Sequence, residues 1–359
     1  VTLTTVMSVE DNKIRLEITN IEETGDFKVK KVSLPNQSFA EVRSDNGGAM
    51  AAVLSTGAWH QITDEISTVE DLEPSTKAKT YAFVNDNDFA IAVNNNVIEY
   101  SSRILLNTEN RNGYKSTSIG TGAWTYREVL NTESDVDFYS HEENLWAEAY
   151  ITKDMNEDEA INWQDAAIEY RNRVEAPLGA EDLKNSLSYI AFNIGYTQSP
   201  FLRTLDTVKK LSNYTDGFGQ MVLEKGYQAE GHDDSIPDYG GHIGIRQGGV
   251  EDFNTLIEEG AKYNAKFGVH INATEYQLDA FQYPDNGSVN TNAPGWNWLD
   301  QAYYVDQRAD LTTGELFRRL DMLKEDLPNL GWVYVDVYTG NGWNAHQLGE
   351  KLNDLGYQV

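Results

Sequence analysis

The chain has 359 residues, with 57 acidic against 28 basic side chains and a formal charge of −29. Nucleic acid and anionic membrane surfaces repel such a polyanion, so neither is expected as a partner. Apolar residues at 40% and aromatics at 11% are too many for a disordered chain, and no apolar run approaches the roughly 20 residues that cross a bilayer.

The length suits two or three domains. Up to about residue 150 the pattern is short β-type runs separated by turn residues, as at Lys28–Leu34, Tyr81–Val84, Phe89–Val93 and Asn96–Tyr100. That spacing predicts a β-sandwich. Trp163–Val174 has the period of one amphipathic helix, and Pro177-Leu178-Gly179 then breaks the chain. The boundary is placed there, giving domains 1–178 and 179–359, with a loop and helix at 154–175 closing the first.

Beyond the break the rhythm changes. Strands are expected at Leu187–Asn193, Phe218–Leu223, Gly268–Asn272 and Trp332–Asp336. Helices are expected between them at Phe201–Leu211, Val250–Phe267 and Thr313–Leu327, with another at Ala345–Leu355, and a loop of about 40 residues carries Trp296 and Trp298. Strand–helix alternation with long loops after the strands points to a parallel sheet, about the first half of a (β/α)8 barrel. Cysteine is absent, which removes disulfides, zinc–thiolate sites and thiol nucleophiles. The chain starts at Val1 without an initiator Met and stops at Tyr357-Gln358-Val359, where a strand is expected to begin; both ends read as cut from something longer.

Two sites stand out. Asp154, Asn156, Asp158, the Ala160 carbonyl and Asp165 occupy positions 1, 3, 5, 7 and 12 of an EF-hand-like calcium loop, nearest the dockerin variant. Glu159 stands where Gly usually makes the sharp turn, and the simpler reading is an acidic loop capping the next helix. The second site gathers polar and aromatic residues after successive strands: His232 and Asp233, His270 and Asn272, Trp296 and Trp298, and Asp336. A carboxylate ending the apolar strand Trp332-Val333-Tyr334-Val335-Asp336 is costly to desolvate without a partner or a task. Carboxylates with indoles and no cofactor motif point to sugar chemistry. Each member also has a plainer role: Asp336 as a cap or inter-strand tie, His232 as a loop residue, the tryptophans as loop pins. Phosphate loops, His-Glu-x-x-His and Gly-x-Ser-x-Gly motifs are absent.

At these residues the chain resembles glycoside hydrolase family 101. The resemblance runs through Asp216-Gly217-Phe218-Gly219-Gln220, Lys225-Gly226-Tyr227, Glu230-Gly231-His232-Asp233 and Phe267 to Ala273, then Gly295-Trp296-Asn297-Trp298 and Val333 to Tyr338. It covers most of 180–359 and extends more weakly into the sandwich, which looks like a galactose-mutarotase-like domain. The resemblance implies a secreted or surface-attached enzyme of Gram-positive bacteria, retaining at the anomeric centre. Such an enzyme frees Galβ1-3GalNAc from Ser or Thr of mucin-type O-glycoproteins and needs no cofactor for the chemistry. It implies Asp336 as nucleophile, His232 and Asp233 as sugar-binding residues, Trp296 and Trp298 as covering tryptophans, and His270 and Asn272 as weaker counterparts. It also implies a structural Ca²⁺ at Asp154–Asp165. The stretch Ser235–His242 is longer than the family's loop. The general-acid Glu is expected beyond Val359, on chain that would complete the barrel; Glu350, mid-helix, is a poor substitute. The alternatives are a non-catalytic glycan-binding or scaffold piece, or an α-glycosidase of other specificity.

Overall fold

The computed structural model describes residues 1–34, 38–54, 64–99, 102–129, 137–139, 143–195, 199–284, 287–338 and 342–359. Its contacts divide into two compact units, Val1–Glu175 and Ala176–Val359.

In the first unit a seven-stranded antiparallel sheet packs on a four-stranded one. Alternation along the strands decides what each residue covers. Ala82, Val84, Ile91, Val93 and Ala149 of the larger sheet meet Val42, Ile104, Leu106 and Ile119 of the smaller in one core. Their neighbours Phe83, Ala90, Ala92 and Tyr150 point the other way and pack on Ala166 of the helix Trp163–Arg173. Covered on both faces, the strand Ala90–Asn95 is buried throughout. The expected strand at Lys28–Leu34 shrinks to Lys31–Val32. Residues 96–99 form no strand, because the Asn95 side chain takes the Val97 N–H and turns the chain; Tyr100 lies outside the described residues.

In the second unit the strands Ser186–Phe192, Gly219–Lys225, Ala265–Asn272 and Trp332–Asp336 lie parallel and in sequential order. Gln358 adds a further parallel bridge to Trp332. Helices Phe201–Tyr214 and Gly249–Ala261 cover one face, with the Phe201 and Phe253 rings stacked at 4.3 Å. The second helix stops at Ala261 rather than Phe267. Asn264 turns the chain at φ 56°, and Ala265–Phe267 enters the sheet. A strand buried on its helix side reads as apolar continuation of the helix before it, so periodicity alone misplaced the join. The opposite face, carrying Ile190 and Tyr334, is about half exposed.

The expected 40-residue loop is instead a three-stranded antiparallel sheet of Glu275–Gln277, Val289–Asn297 and Gln301–Val305. The Tyr276 hydroxyl anchors it to the fully buried pair Arg319–Asp310.

Candidate active site

Parallel register explains which side chains meet. Phe192 pairs with Lys225, Glu224 with Val269, and His270 with Tyr334. One row on the face away from the helices therefore reads Phe192, Lys225, His270, Tyr334 across four strands. Lys225 Nζ lies 5.6 Å from the Phe192 ring centre, and the His270 and Tyr334 rings stack at 5.8 Å. Asp336, two residues past Tyr334, ends the last strand above this row. Its Oδ2 meets His270 Nε2 at 3.0 Å and Lys225 Nζ at 3.9 Å. The His270 bond, then the charges of His270 and Lys225, outweigh burial and hold the Asp336 carboxyl below its ordinary value. The next residue, Val337, stands at φ 49°, a strained position for a β-branched side chain, and its carbonyl takes the Thr274 hydroxyl.

His232 and Asp233 arrive on a tight loop. Gly226 starts it at φ 80°, where a Cβ would fall 2.2 Å from the Asn193 carbonyl oxygen. The His232 N–H donates to that carbonyl, and Gln277 Nε2 donates to the Asp233 carbonyl. Asp233 itself stands at φ 50°. His232 Nε2 lies 3.2 Å from Asp233 Oδ2, and His270 Nδ1 lies 3.9 Å from Asp233 Oδ1. Burial pushes the Asp233 carboxyl up to about 6 and the His232 imidazole down to about 3, so His232 is neutral at neutral pH.

Trp296 and Trp298 stack with ring centres 6.1 Å apart, both largely exposed. The Trp298 indole N–H donates to the Ile194 carbonyl, and its ring centre is 6.1 Å from that of His232. Two adjacent indole faces thus stand exposed beside the polar residues His232 and Asp233. Asn272 sits on the same strand as His270 but is occupied: its Oδ1 accepts the Thr274 N–H and its Nδ2 donates to Glu275. Glu275 in turn accepts the Trp296 N–H. Asn272 thus positions the tryptophan strand.

Lys225 and Glu275 escaped the sequence reading. The only local signal for Lys225 is a charge at a strand end, and it is blurred by Gln220 and Glu224 in the same strand. Glu350 lies on the helix Gly342–Asp354, paired with His346 at 3.1 Å.

In the 154–165 loop Glu159 takes φ 67°, the left-handed turn that Gly would make more cheaply. Asp154 Oδ2 accepts the Glu159 N–H and Asp158 Oδ1 the Ala160 N–H. Asp165 accepts from Met155 and Asn162, the latter closing a capping box on the helix. These carboxylates are taken up by backbone N–H groups of the loop, with Asn156 and Asp158 exposed; the donor set is all hard oxygen, which fits Ca²⁺ in type.

Comparison with known proteins follows this division. Residues 164–359 match the family model described as endo-alpha-N-acetylgalactosaminidase, and residues 1–163 match the galactose mutarotase-like fold domain. A Renibacterium salmoninarum relative carrying the endo-alpha-N-acetylgalactosaminidase name is 33% identical over the whole chain, which spans 25% of that relative's length. An alpha-N-acetylgalactosaminidase from Bifidobacterium bifidum, solved with GalNAc, is 11% identical with a TM-score of 0.51, covering 99% of this chain and 63% of that one. A family 36 alpha-galactosidase from Geobacillus stearothermophilus is 12% identical with a TM-score of 0.55, covering 96% and 50%. At such identities the two solved structures share the fold.

Proposed function

This chain belongs to the endo-alpha-N-acetylgalactosaminidase family of glycoside hydrolases, and from that premise we propose that it carries the nucleophile half of a retaining hydrolase of α-linked N-acetylgalactosamine. The finer reading is release of Galβ1-3GalNAc from Ser or Thr of mucin-type O-glycoproteins by a secreted or surface-attached enzyme. The observation that carries it is the Asp336 carboxylate, held ionised by His270 and Lys225 at the strand end, in the same unit as paired indoles beside His232.

In this reading Asp336 attacks the anomeric carbon while the bond to the Ser or Thr oxygen breaks, and a carboxylic acid about 5 Å away protonates that leaving oxygen. Water then releases the sugar from Asp336 with the same acid acting as base. His232 and Asp233 bind sugar hydroxyls, and the tryptophans cover the ring. The acid is proposed to come from chain outside these 359 residues, which would also close the open sheet face into a barrel; a parallel sheet is normally covered on both faces. The relative's fourfold greater length supports this. We further propose one structural Ca²⁺ held by Asp154, Asn156, Asp158, the Ala160 carbonyl and Asp165, which would tie the loop to the helix it caps.

The test is disaccharide release from a core-1 glycopeptide by the full-length enzyme, with Asp336→Asn beside wild type. The rate should fall on the order of 10⁴-fold or more, and the first sugar product should keep its α configuration. Near-wild-type release by the variant would remove Asp336 from the mechanism.

A further inference from the structure

The floor of the same site has the makings of a metal centre. We propose that His232, Asp233 and His270 bind a borderline divalent cation, Zn²⁺ above all, and that the bound ion excludes the glycan.

The geometry comes first. One ligand atom from each of the three residues lies within 4.8 Å of the other two. The two oxygens of Asp233 each face an imidazole, Oδ2 at 3.2 Å from His232 Nε2 and Oδ1 at 3.9 Å from His270 Nδ1. Zinc bonds of about 2.0–2.1 Å in a tetrahedron space neighbouring ligands about 3.3–3.4 Å apart. Ligand atoms within 4.8 Å of one another must therefore close by up to about an ångström to meet the ion, a movement side-chain rotation supplies. They sit on rigid supports, His270 within a buried strand and His232 and Asp233 on backbone tied to Asn193 and Gln277.

A second observation is independent of those distances. The other nitrogen of His270, Nε2, meets the Asp336 carboxylate at 3.0 Å. Carboxylate–histidine–metal is the arrangement that orients metal-bound imidazoles and raises their basicity. Two imidazole nitrogens and one carboxylate prefer Zn²⁺ over Ca²⁺ or Mg²⁺, which want oxygen donors. The site is thereby distinct from the 154–165 loop. It is distinct too from Asp234, Asp279 and Asp300, an all-carboxylate cluster in which two members are exposed.

An ion here would occupy the groups assigned above to sugar hydroxyls and draw on His270, the hydrogen-bond partner of Asp336. It acts as a competitive inhibitor. Only this competition rests on the glycan reading; binding of the ion does not.

The experiment titrates Zn²⁺ into the 359-residue chain with Ca²⁺ in excess, read by calorimetry and by imidazole NMR on its six histidines. One Zn²⁺ should bind per chain and shift the ring signals of His232 and His270. His232→Gln and His270→Gln should each weaken it about 100-fold, and Asp336→Asn about 10–100-fold. The NMR arm uses wild-type protein and so survives any variant that fails to fold. Zn²⁺ that leaves both ring signals unmoved, or whose affinity falls only in Asp279→Asn or Asp300→Asn, overturns the site. Displacement of bound Zn²⁺ by Galβ1-3GalNAc supports the competition. Zn²⁺ bound at His232 and His270 but indifferent to the disaccharide leaves the metal site standing and counts against the glycan reading.

Discussion

Glu224 lies one residue before Lys225 on the strand Gly219–Lys225 and faces the covering helices instead of the site. It is fully buried, and among the described residues neither carboxylate oxygen has a hydrogen-bond partner of good geometry. Burial raises its pKa from 4.5 to about 8, an effect that the nearby Thr204 only partly offsets. A carboxyl with a raised folded pKa contributes its full stability below the unfolded pKa, near 4.5. That stability drains away as pH rises toward the folded pKa, near 8. Each unit of separation is worth about 1.4 kcal/mol, so between pH 5 and pH 8 wild type should lose roughly 3–4 kcal/mol that a neutral side chain keeps. Glu224→Gln keeps the volume and removes the titration. Urea unfolding of wild type and variant at pH 5, 6, 7 and 8 reads the difference. The two stabilities should nearly agree at pH 5 and separate by about 3 kcal/mol or more in favour of the variant at pH 8. Parallel pH profiles for the two proteins would refute the argument, since they would mean the carboxyl is solvated or already ionised in the folded state.

Lys225→Met removes a cation 3.9 Å from Asp336, so the Asp336 carboxyl should rise and the acid limb of kcat/KM in the full-length enzyme should move to higher pH. An unmoved limb would restrict Lys225 to packing on Phe192. Trp298→Ala removes one half of the indole pair and the hydrogen bond to Ile194; KM for the glycopeptide should rise about 10-fold or more, as expected for 1–3 kcal/mol of lost stacking and bonding, and an unchanged KM would take the indole out of binding. Gly226→Ala puts a Cβ 2.2 Å from the Asn193 carbonyl oxygen, so loss of 1 kcal/mol or more in urea unfolding is expected, against no change if the loop simply relaxes. EDTA should lower the Tm of the first unit and added Ca²⁺ restore it, with Asp158→Ala insensitive to both; a melt indifferent to chelation would leave Asp154–Asp165 as a helix-capping loop.

The strand Trp332–Asp336 was legible residue for residue, because an apolar run ending in a carboxylate is a local pattern. So was the alternation of strands and helices after the break, and the motif order carried the family. The join at Ala265 was not legible, because buried strand and buried helix share one composition. The tryptophan hairpin was missed too: its pairing rests on Glu275 and Tyr276, whose partners lie at Trp296, Asp310 and Arg319. The site divides in the same way. Composition and strand ends nominated Asp336, His232, Asp233 and the indoles singly, whereas their distances depend on pairing between segments far apart in sequence. Lys225, His270 and Asp336 meet only because three parallel strands set them in adjacent register. What tertiary structure decided was therefore the state of Asp336: a carboxylate is ionised or neutral according to what stands beside it, and no local pattern records that.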